Sequence, residues 1–211
     1  MLIEIFTDYT CPFCYIAKQR LKLALAKVEL KQKVEIVYVS YEINPTIDKE
    51  NKKKYIEFLE ETMSQVKATS FMEELTEHAK EVGLTYNFDR MIVANTSDAH
   101  RLAKWVNEQG KEEQYTEILM HGYFVEGRNL SDHIYLLEVI DSLELSKTKA
   151  KEVLESNTYQ QQIDLDKYAA QQIGVTSAPF FVFNNRLGIR GAEPEEVFIR
   201  TIKQASGEYS Q

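Results

Sequence analysis

The two cysteines of the chain stand three residues apart, in Cys11-Pro12-Phe13-Cys14. A pair at this spacing suits thiol–disulfide exchange, in which an exposed sulfur attacks a disulfide and a second, buried sulfur resolves the mixed disulfide. The thiolate is the reactive form. A free cysteine with a pKa near ~8.5 holds only a few per cent of it at neutral pH, whereas a value near ~6 would make it the main species. A helix N-terminus favours that shift through its unpaired N–H groups and partial positive charge.

The flanking residues predict such a setting. Leu2-Ile3-Glu4-Ile5-Phe6 is a short apolar run that reads as a buried strand. Cys14 to Leu30 lacks Gly and Pro and is rich in Ala, Leu, Lys and Gln, which reads as a long helix. Pro12 suits the first helical position, where its missing N–H would be unpaired anyway. Cys11 then falls at the helix N-terminus and Cys14 in the first turn. Cys14, Ala17, Leu21, Ala24 or Leu25, and Val28 step by three or four residues and make one apolar stripe. The stripe predicts that Cys14 faces inward and Cys11 outward.

Composition narrows the function classes. With 211 residues, 44% of them hydrophobic, the chain can bury a sizeable core as one large or two small domains. A net charge of −8 and a pI near 5.2 argue against a nucleic-acid or anionic-membrane partner. Met1-Leu2-Ile3-Glu4 shows no secretory signal, and no stretch is long and apolar enough to span a bilayer, so a cytoplasmic location is expected. Structural disulfides are rare there, which favours a catalytic over a stapling use of the pair. A structural zinc site needs four N or S ligands. No second CxxC exists, and His78, His100, His121 and His133 are scattered along helical stretches, so no metal is expected. No organic cofactor is called for, because the cysteine pair is itself a redox group.

Val34-Glu35-Ile36-Val37-Tyr38-Val39 alternates and reads as a second strand, completing a βαβ unit expected to be parallel and right-handed. From about Thr46 to Ser156 the signals are almost all helical: Lys49 to Val66, Ser70 to Val82, Ser97 to Gln109, Glu112 to Glu126, Ser131 to Leu143, and Ser146 to Glu155. Gly83, Gly110 and Gly127 read as stops, and Ser97, Ser131 and Ser146 as N-caps. A further helix from Tyr159 to Ile173 ends at Gly174. Phe180-Phe181-Val182-Phe183 and Arg186-Leu187-Gly188-Ile189-Arg190 then form a hairpin across Asn184-Asn185, since Asn tolerates positive φ. A last helix follows Pro194. Trp105 and the aromatic residues of the middle block read as core. Glu60-Glu61, Glu73-Glu74 and Lys52-Lys53-Lys54 read as solvated surface.

This order, with CxxC at the first helix and Pro179 opening the third strand, resembles the thioredoxin fold. The helical block between its halves resembles the DsbA family, and within it the cytoplasmic FrnE-like branch. Four stretches carry the likeness: Asp8-Tyr9-Thr10-Cys11-Pro12-Phe13-Cys14-Tyr15-Ile16, Asn95-Thr96-Ser97-Asp98-Ala99-His100-Arg101-Leu102, Tyr123-Phe124-Val125-Glu126-Gly127, and Gly174-Val175-Thr176-Ser177-Ala178-Pro179-Phe180-Phe181-Val182-Phe183. The resemblance implies an α/β, thioredoxin-like fold with a helical domain inserted between the βαβ and ββα halves. Residues 1–45 and 157–211 would make the first domain and 46–156 the second.

It also implies a thiol–disulfide oxidoreductase with Cys11 and Cys14 as catalytic residues. Pro12, Phe13, Ala178 and Pro179 would line the substrate groove, with a cis bond before Pro179. Partners would be thiol- or disulfide-containing proteins, with glutathione or a thioredoxin-type reductant. Two positions depart from the pattern. Phe13 stands where DsbA has His, so Cys11 lacks that charged neighbour. Ile5 stands where thioredoxins and DsbA often carry a buried acid, which leaves the proton of Cys14 without an assigned acceptor. Two alternatives follow from other uses of the same architecture. Kappa-class glutathione transferases and 2-hydroxychromene-2-carboxylate isomerases activate a glutathione thiolate at this helix start, generally with Ser in place of the first cysteine. A non-catalytic chaperone would not need Cys11 at all.

Overall fold

A computed structural model describes residues 1–207 of the chain. The first strand and helix are β1 (Leu2–Thr7) and α1 (Pro12–Lys27), followed by β2 (Glu35–Ser40). A helical stretch comes next, with α2 (Tyr55–Thr62), α3 (Gln65–Glu81), α4 (Ser97–Glu108), α5 (Glu112–His121), α6 (His133–Ser142), α7 (Lys147–Leu154) and α8 (Gln160–Gln172). The hairpin β3 (Phe180–Phe183) and β4 (Leu187–Arg190) leads into α9 (Glu195–Ser206). None of the described helices is long and apolar enough to cross a membrane.

The chain forms two units, Asn44–Lys167 and a second built from Met1–Ile43 with the chain from Tyr168 on. The division between the two units falls within α8, after Lys167. The unit made from the chain ends holds a four-stranded sheet ordered β2-β1-β3-β4. β1 runs parallel to β2 and antiparallel to β3, with Ile5 opposite both Tyr38 and Phe181. Because side chains alternate across a strand, Ile3, Ile5, Phe181 and Phe183 share one face. They pack with Ala17, Leu21 and Ala24 of α1 and Phe198 and Ile202 of α9. Phe181 meets Phe198 edge-on at 5.0 Å. Each such large side chain contributes about 1.5–3 kcal/mol on burial, so this core clamps α1 against the sheet. On the opposite face Phe6 and Val39 pack with Ala170 and Val175.

The hairpin follows its sequence signal. Asn184 and Asn185 both adopt left-handed φ, 49° and 55°. The Asn184 side chain accepts the Leu2 N–H at 2.9 Å and donates to the Ala205 carbonyl at 2.9 Å, tying β1 and α9 to the turn.

The helical unit departs from its expected elements in specific places. The single helix predicted over Lys49 to Val66 is helical only in α2 and in the first two residues of α3. Residues 51–55 pair with 91–93 instead of coiling: Tyr55 N–H reaches the Met91 carbonyl at 3.0 Å, Val93 N–H the Lys53 carbonyl at 2.9 Å, and the Asn51 side chain the Val93 carbonyl at 2.7 Å. Backbone groups satisfied in this way do not need helical partners. A second break at Met63 and Ser64 lets Ser64, in an extended conformation, start α3. α5 ends at His121 and passes into one wide π turn, Gly122–Glu126, which stops at Gly127 with φ 71°. Of the three serines expected as caps, Ser146 accepts the Lys149 N–H at 3.3 Å. Ser97 is already helical, after Thr96, and Asp132 rather than Ser131 caps α6. Ser131 instead bonds both backbone groups of Asn95, at 2.9 and 3.1 Å.

Two cationic side chains and a histidine converge on the buried Asp98 of α4. Lys49 Nζ stands at 2.7 Å, Arg101 Nη2 at 2.5 Å and His133 Nε2 at 2.8 Å from its carboxylate oxygens. Arg101 also donates to the carbonyls of Val153 and Ser156, each at 2.5 Å, and so holds the end of α7.

Candidate active site

The cysteine pair stands where β1 gives way to α1. Cys11 is the N-cap residue, extended at φ −84° and ψ 112°, and Pro12 begins the helix. The Cys14 N–H donates to the Cys11 carbonyl at 3.0 Å, and the Cys11 N–H to the Asp8 carbonyl at 3.3 Å. Two successive turns therefore fold Asp8, Cys11 and Cys14 closely together. Neither cysteine is bridged.

From the far end of the sequence the chain brings Ala178 to the same place. The Cys11 Sγ donates to the Ala178 carbonyl at 3.6 Å, and the Ala178–Pro179 peptide is cis. The Pro179 carbonyl accepts the Gly191 N–H at 2.8 Å, which fixes the loop to the strand behind it. Pro12 and Pro179 are buried, while Phe13 and Ala178 keep partial access to solvent. Arg20 of α1 braces the arrangement by donating to the Ala192 carbonyl at 2.5 Å. The pair and Ala178-Pro179 thus share one site. His100, by contrast, lies buried in α4 of the helical unit.

One expectation is corrected. Cys11 does not face outward: it is 4% exposed, against 1% for Cys14. The stripe on α1 could orient only residues inside the helix, and Cys11 precedes it. Thr7, Asp8, Tyr9 and Thr10 before it are all buried as well. Burial also reverses the expected electrostatics. The Cys11 thiol is pushed well above its ordinary pKa by desolvation, then by the Cys14 side chain, with a further upward push from Asp8. The Cys14 backbone N–H acts in the opposite sense. This is the helix-start effect that the sequence predicted, outweighed by the loss of water.

Asp8 was not singled out from the sequence. It is 1% exposed, and its Oδ2 accepts the Ile43 N–H at 2.7 Å. Ile5, at the position where thioredoxins and DsbA often carry a buried acid, belongs to the apolar core beneath α1. The only signal for Asp8 was its place in the stretch leading to Cys11. Among the described residues, no group of three or more His, Cys, Asp or Glu side chains could hold a metal ion.

The likenesses to known proteins agree with this geometry. A family model described as DSBA-like thioredoxin domain matches residues 2–203. The chain is 24% identical over 202 residues to YwbO of Bacillus subtilis (strain 168), covering 95% of this chain and 94% of that one. A probable DsbA oxidoreductase from Streptomyces coelicolor superposes with a TM-score of 0.93 at 32% identity, over 100% of this chain and 92% of the other. The cytosolic disulfide reductase DsbM from Pseudomonas aeruginosa, solved with GSH, has a TM-score of 0.65 at 15% identity over 97% and 98% of the two chains. At that identity the likeness speaks for the fold alone.

Proposed function

The chain belongs to the DSBA-like thioredoxin domain family, and from that premise we propose that it is a cytoplasmic thiol–disulfide oxidoreductase that works as a reductant. The observation that carries the reading is the position of the Cys11 sulfur. It sits at a helix N-cap, one turn from Cys14 and 3.6 Å from the carbonyl that precedes Pro179.

In the reductive cycle Cys11 loses its proton to solvent and its thiolate attacks one sulfur of a substrate disulfide. A Cys11–substrate disulfide forms, the substrate S–S bond breaks, and the departing thiolate takes up a proton. Cys14 then loses its proton and attacks the Cys11 sulfur, closing the internal disulfide and releasing the second substrate thiol. Two electrons and two protons have passed from the dithiol to the substrate. A thiol reductant, glutathione or a thioredoxin-type dithiol, restores the pair. Phe13 and Ala178, the partly accessible residues beside it, would meet the substrate.

The direction follows from what stabilises the reduced pair. A strong oxidant of this kind owes its potential to a stabilised reduced form. Here the Cys11 thiolate has lost water, faces a carboxylate-bearing turn, and gains no charge from Phe13. These features disfavour the thiolate and so support a reducing pair. The test is to equilibrate the purified protein in glutathione buffers and trap free thiols. A two-electron transition near thioredoxin's ~−270 mV, abolished by Cys14→Ser, is expected. A value near ~−120 mV would reverse the direction. If no internal disulfide forms at any poise, the oxidoreductase reading fails, and glutathione affinity would then test the transferase or isomerase alternative.

A further inference from the structure

We propose that Asp8 is a positioning residue of the dithiol site, a fixed buried carboxylate that sets how readily Cys11 gives up its proton. This inference rests on the oxidoreductase reading and gives that site an internal control.

The geometry comes from three observations. The Cys11 N–H to Asp8 carbonyl bond, 3.3 Å, closes a tight turn, which brings the two Cα atoms within about 7 Å. The carboxylate cannot turn away into solvent, because the residue is 1% exposed and its Oδ2 is held by the Ile43 N–H at 2.7 Å. The sulfur is buried too, at 4%, so little water lies near to screen the interaction. The ionisable groups that act most strongly on Cys11 are Cys14 and Asp8, and Asp8 pushes its titration upward. A negative charge held beside a sulfur that must itself become negative opposes the first step of the exchange. Once formed, however, a thiolate of higher pKa is the stronger nucleophile. Asp8 therefore trades the amount of thiolate for its reactivity. The Ile43 N–H needs an acceptor at this place, which an amide oxygen would also provide.

The test is Asp8→Asn, which keeps that acceptor and removes the charge, made in a Cys14→Ser background so that one thiol titrates. Thiolate absorbance should show Cys11 ionising about one pH unit lower than in the Cys14→Ser parent. At neutral pH that gives about tenfold more thiolate, each about threefold less nucleophilic, so attack on a small disulfide reagent should be about threefold faster. Folded protein with an unchanged Cys11 titration overturns the proposal. Should the variant not fold, the unaltered protein gives the answer by carbon-13 NMR. The Asp8 carboxyl carbon should show an inflection at the pH where Cys11 ionises in the dithiol form and none there in the disulfide form; its absence from the dithiol form overturns the proposal equally. The Cys11 titration needs no turnover, so it stands or falls separately from the glutathione-buffer measurement that tests the oxidoreductase reading.

Discussion

Asp98 should govern the acid stability of the helical unit. Burial by itself would raise its pKa, but the bonds from Lys49, Arg101 and His133 outweigh that effect and lower it from 3.8 to about 2. At 1.36 kcal/mol per unit, this is worth roughly 2 kcal/mol of folding free energy. Its sign is fixed by the direction of the shift. A carboxylate whose pKa is depressed by folding contributes fully above its unfolded value, and the contribution disappears as the pH falls from about 4 to about 2. Asp98→Asn removes the anion and leaves the Arg101 guanidinium, 6% exposed, without its carboxylate. Breaking a buried pair in this way costs about 3–5 kcal/mol, a fall in Tm on the order of 10 °C for a chain of this length. The single tryptophan, Trp105, lies in α4 one turn beyond Arg101 and is buried, so its fluorescence reports unfolding of this unit. Urea melts at neutral pH should show the destabilisation. Melts between pH 4 and 2 should show the parent losing about 2 kcal/mol more than the variant. If the two proteins lose stability in parallel over that range, the network does not work as described.

Four further substitutions test other links. Phe13→His places a cationic ring in the dipeptide beside Cys11; the potential should rise toward the oxidising side, by about 30 mV for each tenfold stabilisation of the reduced form, and a fall in glutathione buffers would refute the account of Phe13. Asn184→Ala removes bonds to Leu2 and Ala205 and leaves a β-carbon at φ 49°, for an expected loss of about 2–4 kcal/mol in denaturant melts, whereas Asn185→Gly should be nearly neutral. Gly127→Ala would drive a β-carbon into the Arg90 side chain and to 2.7 Å from the Arg90 carbonyl at φ 71°, so a Tm within a degree of the parent would contradict the described turn.

Much of the frame was legible because local rules decided it. Pro12 after Cys11 marked a helix start, Asn184-Asn185 marked a hairpin, and the apolar run Leu2–Phe6 and the alternation in Val34–Val39 marked strands that differ from β1 and β2 by a residue at their ends. What escaped depends on partners distant in sequence. The burial of Cys11 follows from the turn that begins at Asp8, and Asp8 is held by an amide 35 residues away. The predicted helix over Lys49 to Val66 gave way because 91–93 offered its backbone other partners. Asp98 read as part of a helix start. Its meeting with Lys49 and His133 could not be inferred from spacing.

The sheet that carries the cysteine pair is stitched from the two ends of the chain, with Ile3 opposite Phe183. On a ribosome, β1 and the cysteines emerge well before β3, and the central strand pair cannot close until β3 has been made. By then the whole stretch Asn44–Lys167 is already out. Closing so long a loop adds only a slowly growing entropy cost, but Cys11 and Ala178 cannot meet before all of it has been made. In the interval the two thiols lack the Ala178-Pro179 segment that lies beside Cys11 in the folded protein. A newly made chain therefore meets disulfides with its thiols alone, whereas the finished protein meets them with the Ala178 carbonyl beside the Cys11 sulfur.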